Sequence, residues 1–263
     1  MNDLYKELLE FGKERIDDFF KNVKLYENQF KYDEFNDACY DLMYQNNSYE
    51  KGVSTVKELK ESIPGLKETC KKCGSYYMVA RNKSIVAYDV QMGILLENII
   101  IDFLKEKFHI KALHGDKSNK KYPDCMVLSK DKGIVAYFEV KYHSAPFIMA
   151  YQKINRLCYE GSATFDQDKI IKQLEIIDSD IQLPTFYLHW IDYPCLKGLF
   201  FETNEQVKDY IYRAEAEFER KEREGDLAKS AQSIYLGKVY APTLSMGTFD
   251  EFVSILKKLE VRH

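Results

Sequence analysis

Apolar and polar positions alternate along this chain in two periods, and the switches between them mark its elements. Leu4, Leu8, Leu9, Phe11, Ile16, Phe19 and Phe20 recur at helical spacing and predict an amphipathic helix over 3–23. Residues 25–48 are rich in tyrosine and asparagine, and Phe30, Phe35, Leu42 and Met43 extend the helical reading. The segment "STVKELKESIPG" opens on a Ser/Thr cap and stops at Pro64-Gly65. The strongest helix is "DVQMGILLENIIIDFLKEKF", 89–108, with Asp89 as its cap and Leu95, Ile99, Phe103 and Phe108 along one stripe. A strand in "IKALHG" and a basic turn in "GDKSNKKYP" follow. Two strands, near 124–129 and 133–142, are joined by "KDKG". Then come a helix in "TFDQDKIIKQLEIIDSD" with Ile170, Ile171, Leu174 and Ile177 inward, and strands in "PTFYLHWID" and "CLKGLFFET". A charged helix in "NEQVKDYIYRAEAEFERKERE" has opposite-sign residues at helical spacings. The last helix, in "GTFDEFVSILKKLE", is capped by Thr248 or Asp250.

This order predicts an α/β protein with a mixed central β-sheet flanked by helices and an extra N-terminal helical lobe. We read one domain over 1–263: a mostly helical subdomain 1–88, a core 89–202 and C-terminal helices 203–263. No internal repeat or low-complexity tract interrupts it.

Composition narrows the class. The chain has 263 residues, 45% of them apolar and 14% aromatic, which fits a folded protein with a real core. The net charge of -4 gives no general attraction to nucleic acid, so such binding would need a local basic patch. No apolar run approaches the roughly 20 residues that span a bilayer, and the acidic start lacks a signal-peptide core, so we expect a cytoplasmic protein. Six cysteines are too sparse for a disulfide framework. Cys70 and Cys73 form one CxxC, and no second clean pair completes the four ligands of a structural zinc site. The 20 tyrosines are spread along the chain as half-buried packing residues.

The chemistry concentrates in "YPDCMVLSKDKGIVAYFEVKYH", 122–143. In a strand, alternate residues share a face. Glu139 and Lys141 therefore point one way, while Ile134, Ala136, Phe138 and Val140 point into a core. An antiparallel pairing through "KDKG" brings Asp124 beside them. Two adjoining carboxylates repel unless something positive joins them. Mg²⁺ is the natural partner, because it takes hard oxygen ligands and favours phosphate substrates. A neighbouring lysine then positions or activates a water, the outline of metal-assisted phosphodiester hydrolysis.

Pro123-Asp124, fourteen intervening residues and Glu139-Val140-Lys141 resemble the PD-(D/E)XK nuclease signature. Asp124 opens one expected strand and Glu139-Val140-Lys141 ends the next, as that family's core requires. The resemblance covers about residues 89–202 and looks like a type II restriction endonuclease. It implies a restriction-endonuclease-like core that cleaves double-stranded DNA as a homodimer on palindromic sites. The implied cofactor is Mg²⁺, with Mn²⁺ as a substitute. Asp124, Glu139 and the Val140 carbonyl would hold metal, with Lys141 acting on the water. Glu97, on the preceding helix, would face the metal, and Gln173, on the following helix, would face the site. Lys117, Lys120 and Lys121 would meet the phosphate backbone, joined by Lys169 and Lys172. His143 would be a hydrogen-bonding neighbour.

Plainer readings stand beside these. The three charges of the hairpin also suit a solvent-facing strand edge. Glu97, Gln173, Lys169 and Lys172 also suit ordinary helix surfaces. Other functions on the same core are a repair or junction nuclease, an RNA-directed nuclease, or a non-catalytic DNA-binding module.

Overall fold

The computed structural model describes residues 3–22, 61, 64–65, 67–68, 86–116, 118–119, 121–143, 163–192, 197–213, 238–241 and 246–261. The helix expected within 25–48, most of the one near 54–65, the end of the charged helix beyond 213, and the Cys70/Cys73 pair lie outside them.

Six strands form one mixed sheet. In chain order β1 is Lys111–His114, β2 Cys125–Leu128, β3 Ile134–His143, β5 Thr185–Asp192, β6 Lys197–Thr203 and β8 Gly247–Thr248, and they lie side by side in that order. The β3–β5 pair is parallel and every other pairing is antiparallel. A second, two-stranded sheet pairs β4, Ala163–Asp166, with β7, Lys238–Ala241. The helices are α1 (Asp3–Asn22), α2 (Val86–Phe108), α3 (Gln167–Ile176), α4 (Asn204–Lys208) and α5 (Phe249–Val261). The α/β class and the mixed, helix-flanked sheet expected from the sequence are observed. No helix among the described residues is long and apolar enough to cross a membrane.

The main core lies on one face of this sheet. Alternation along β3, β5 and β6 sends Ala136, Phe138, Val140, Phe186, Leu188, Trp190, Leu199 and Phe201 to that face. There they meet α2 through Leu96, Ile99, Ile100 and Phe103, α1 through Leu4, Tyr5 and Leu8, and α5 through Phe249, Phe252 and Leu256. The helix α1 thus packs into the same core as the sheet. Tyr5 sets its ring edge-on to Trp190 at 5.8 Å, and Arg15 pairs with Asp102 of α2 at 2.7 Å.

Local chemistry explains most boundaries. The helix α2 begins at Val86, so Asp89 is its fourth residue rather than its cap. It ends where His109 turns left-handed, at φ 58°. At α5, Thr248 Oγ1 accepts from Glu251 N–H at 3.4 Å, while the Glu251 carboxylate accepts from Thr248 N–H at 2.7 Å, a capping box that assigns the cap to Thr248. The start of the expected 164–180 helix is strand β4, and its end, Ile177–Ile181, is a wider π-type turn.

The β2–β3 hairpin departs from simple alternation. Its turn closes through Lys132 N–H to Ser129 O at 3.0 Å, with Lys132 at φ 68°. The register runs Cys125↔Phe138 to Val127↔Ala136, then slips to Leu128↔Ile134. This bulge turns Ile134 out to 38% exposure, so it does not join Ala136, Phe138 and Val140 in the core.

Candidate active site

The opposite face of β3 and β5 carries Glu139, Lys141, Tyr187 and His189, set side by side by the parallel register Glu139↔Tyr187 and Lys141↔His189. Antiparallel pairing with β2 delivers Asp124 to the same end. The Asp124 N–H donates to Glu139 Oε2 at 3.1 Å, and the Val140 N–H donates to Asp124 Oδ2 at 3.0 Å. Lys141 Nζ contacts Glu139 Oε1 in an ion pair. Gln173, buried on α3, donates its amide to Glu139 Oε2 at 3.1 Å. Asp124, Glu139, Lys141 and Gln173, singled out from the sequence, are one hydrogen-bonded group.

Glu97 stands at the edge of this group. It is buried on α2, its charge is felt at Asp124 and Lys141, and its Oε2 lies 3.2 Å from His114 Nδ1. Lys121, Lys169 and Lys172 line a cleft of about 450 Å³ together with Glu139, Lys141, His143 and Gln173. Lys117 and Lys120 lie outside the described residues.

Burial makes the two carboxylates unequal. The Asp124 carboxyl is pushed up to about 7, by burial and then by the Glu139 charge, with Lys141 opposing. For Glu139 burial also acts upward, but Lys141, the Gln173 amide and the Asp124 N–H outweigh it and hold the group below its ordinary value. Burial would weaken the Lys141 ammonium, yet Glu139 and Asp124 raise it above its ordinary value. At neutral pH the apo site therefore holds an ionised Glu139, a charged Lys141 and an Asp124 poised to lose its proton.

Sequence reasoning named His143 as a neighbour but missed the buried pair behind it, beside the cleft. His143 Nε2 lies 3.0 Å from His189 Nδ1, and His189 Nε2 lies 3.0 Å from Glu202 Oε2. Both His189 and Glu202 are fully buried. Burial, then the neighbouring positive charge of Lys141, pushes His189 down to about 3, so its ring is neutral. A neutral His189 donating from Nε2 to Glu202 must accept at Nδ1, so His143 donates from Nε2 and keeps a lone pair at Nδ1. Burial, then His189, likewise holds His143 well below its usual range. The available signal was a histidine and a glutamate inside two otherwise apolar strands, "TFYLHWID" and "LFFET".

A second missed residue is Gly115. Its N–H donates to Asp124 O at 2.7 Å, tying the end of β1 to the backbone of the site. A Cβ there would lie 2.3 Å from Pro123 O.

No family model matches this chain, and neither a curated protein nor a solved structure matches it.

Proposed function

We propose that the chain is a Mg²⁺-dependent endonuclease that hydrolyses phosphodiester bonds of double-stranded DNA at specific sequences, in the manner of type II restriction enzymes. The observation that carries this reading is the meeting of Asp124, Glu139 and Lys141 at one end of a strand pair, beside a lysine-lined cleft. A sheet in which a parallel pair is bridged by α3 and flanked by antiparallel strands supports a restriction-endonuclease-like core.

The donors suit Mg²⁺: two carboxylates and the Val140 carbonyl are hard oxygen ligands. The mutual repulsion of Asp124 and Glu139 is relieved by a divalent cation. Bound there, Mg²⁺ would supply Lewis-acid polarisation of a phosphate oxygen and acidify a bound water. Asp124 would hold the ion as a carboxylate, with its carboxyl proton released to solvent. Lys141, held as an ammonium by Glu139, orients the attacking water and offsets charge developing on the phosphate. Gln173 fixes the Glu139 carboxylate in place. Lys121, Lys169 and Lys172 hold the phosphate backbone along the cleft, while base contacts, made elsewhere, give specificity. A homodimer would present two such clefts to the two strands of a palindromic site.

The test is incubation of pure wild type, D124A and K141A with plasmid and phage DNA in Mg²⁺. Wild type should cut to discrete fragments, and each variant should lose at least ~10²-fold in rate. Full cleavage by either variant would sink the assignment. Nicking confined to branched or flapped DNA would move it to a structure-selective nuclease.

A further inference from the structure

Behind the carboxylate site, on the α2 side of the sheet, a second cluster joins three different donor atoms. Glu97 comes from α2, His114 from the last position of β1 and Cys125 from the first position of β2. The antiparallel register sets His114 directly opposite Cys125, and α2 packs Glu97 over them. One ligand atom from each lies within 4.8 Å of the others. Glu97 and Cys125 are buried, and although the His114 side chain is 29% exposed, its Nδ1 is buried between them.

The spacing suits a small tetrahedral ion. Zinc bonds of about 2.0–2.2 Å to nitrogen and oxygen give ligand-to-ligand edges of roughly 3.4 Å. His114 Nδ1 and Glu97 Oε2 stand 3.2 Å apart. Closing the thiol onto this pair needs about an ångström of side-chain movement. The far ring nitrogen is held as well: His114 Nε2 lies 2.8 Å from Asn98 Oδ1. With Nε2–H donated to that carbonyl, Nδ1 turns a lone pair toward Glu97. A metal-bound imidazole uses this tautomer, with the outer N–H anchored and the inner nitrogen unprotonated.

We infer that Glu97, His114 and Cys125 form a site for a thiophilic divalent cation of the Zn²⁺ class, separate from the Mg²⁺ site. Its oxygen, nitrogen and sulfur donors select borderline-soft ions and disfavour Mg²⁺. Three protein ligands leave the fourth position of a tetrahedral ion for a water. The ion would claim Glu97, a carboxylate whose charge is otherwise felt at Asp124 and Lys141. The site does not depend on whether the chain cuts DNA, and its test reads metal directly.

The full-length chain, stripped with a chelator, is titrated with Co²⁺ and then Zn²⁺ and followed by absorption. Wild type should bind Co²⁺ with the intense visible bands of a tetrahedral ion and a thiolate charge-transfer band, and Zn²⁺ should bleach both. C125S and H114Q should lose these bands with an unchanged circular-dichroism spectrum, while C70S/C73S and D124N should keep them. N98A, which removes only the anchor, should weaken Zn²⁺ binding about 10- to 100-fold. No tetrahedral spectrum in wild type would overturn the inference. So would bands that survive in C125S, disappear in C70S/C73S, or are displaced by excess Mg²⁺.

Discussion

Replacing Asp124 by Asn should make the metal-free chain more stable while abolishing its function. The half-buried Asp124 carboxyl has its pKa raised from 3.8 to about 7, because desolvation and Glu139 oppose its charge. A raised carboxyl pKa contributes stability that is fully present below the unfolded value and is lost as pH rises through the folded value. At about 1.36 kcal/mol per pH unit, the loss above pH 7 is on the order of 4 kcal/mol, and near pH 4 it is under about 1 kcal/mol. Asn is isosteric and keeps an acceptor for the Val140 N–H, so D124N escapes the cost without opening a cavity. Urea unfolding in EDTA should therefore show D124N more stable than wild type at about pH 8, with the gap closing between pH 7 and 4. Saturating Mg²⁺ should narrow or reverse the gap at pH 8, since it stabilises only the chain that binds it. A D124N that is less stable than wild type by the same amount at every pH would refute the reasoning.

Three further outcomes follow from the same geometry. G115A forces a Cβ to within 2.3 Å of Pro123 O, a main-chain atom, and should cost about 2 kcal/mol in urea unfolding while displacing Asp124. H189A orphans the buried Glu202 carboxylate and should cost about 3 kcal/mol or more, lowering Tm on the order of 10 °C by calorimetry. Replacing Lys121, Lys169 and Lys172 by Ala should weaken DNA binding without regard to sequence. Each replacement should reduce the slope of log affinity against log salt by about 1 in fluorescence titrations.

Elements with a long apolar pattern were legible, whether that pattern is a helical repeat or a continuous run buried on both faces of the sheet. The stripe of α2, the apolar run of β5 and the start of α5, with Thr248 or Asp250 as its cap, all announced themselves. So did Asp124, Glu139 and Lys141, whose spacing along the hairpin brings them together, while Gln173 entered only through the family resemblance. What stayed hidden depends on long-range pairing. Ala163–Asp166 is too short to declare itself a strand without its partner β7, and it was absorbed into the helix that follows. The bulge that exposes Ile134 comes from the turn geometry at Lys132, not from the apolar pattern. The facing of His114 and Cys125 exists only through the β1–β2 register. His189 and Glu202 stood out as polar residues in apolar strands, but their meeting exists only through the β5–β6 pairing.

The most direct measurement is end mapping of one long, fully sequenced DNA after a single turnover with the purified chain. The account expects cuts at one recurring sequence, dependent on Mg²⁺ or Mn²⁺ and absent with EDTA, D124N or K141A. Intact DNA with Mg²⁺ present, or the same cuts from D124N, would contradict it.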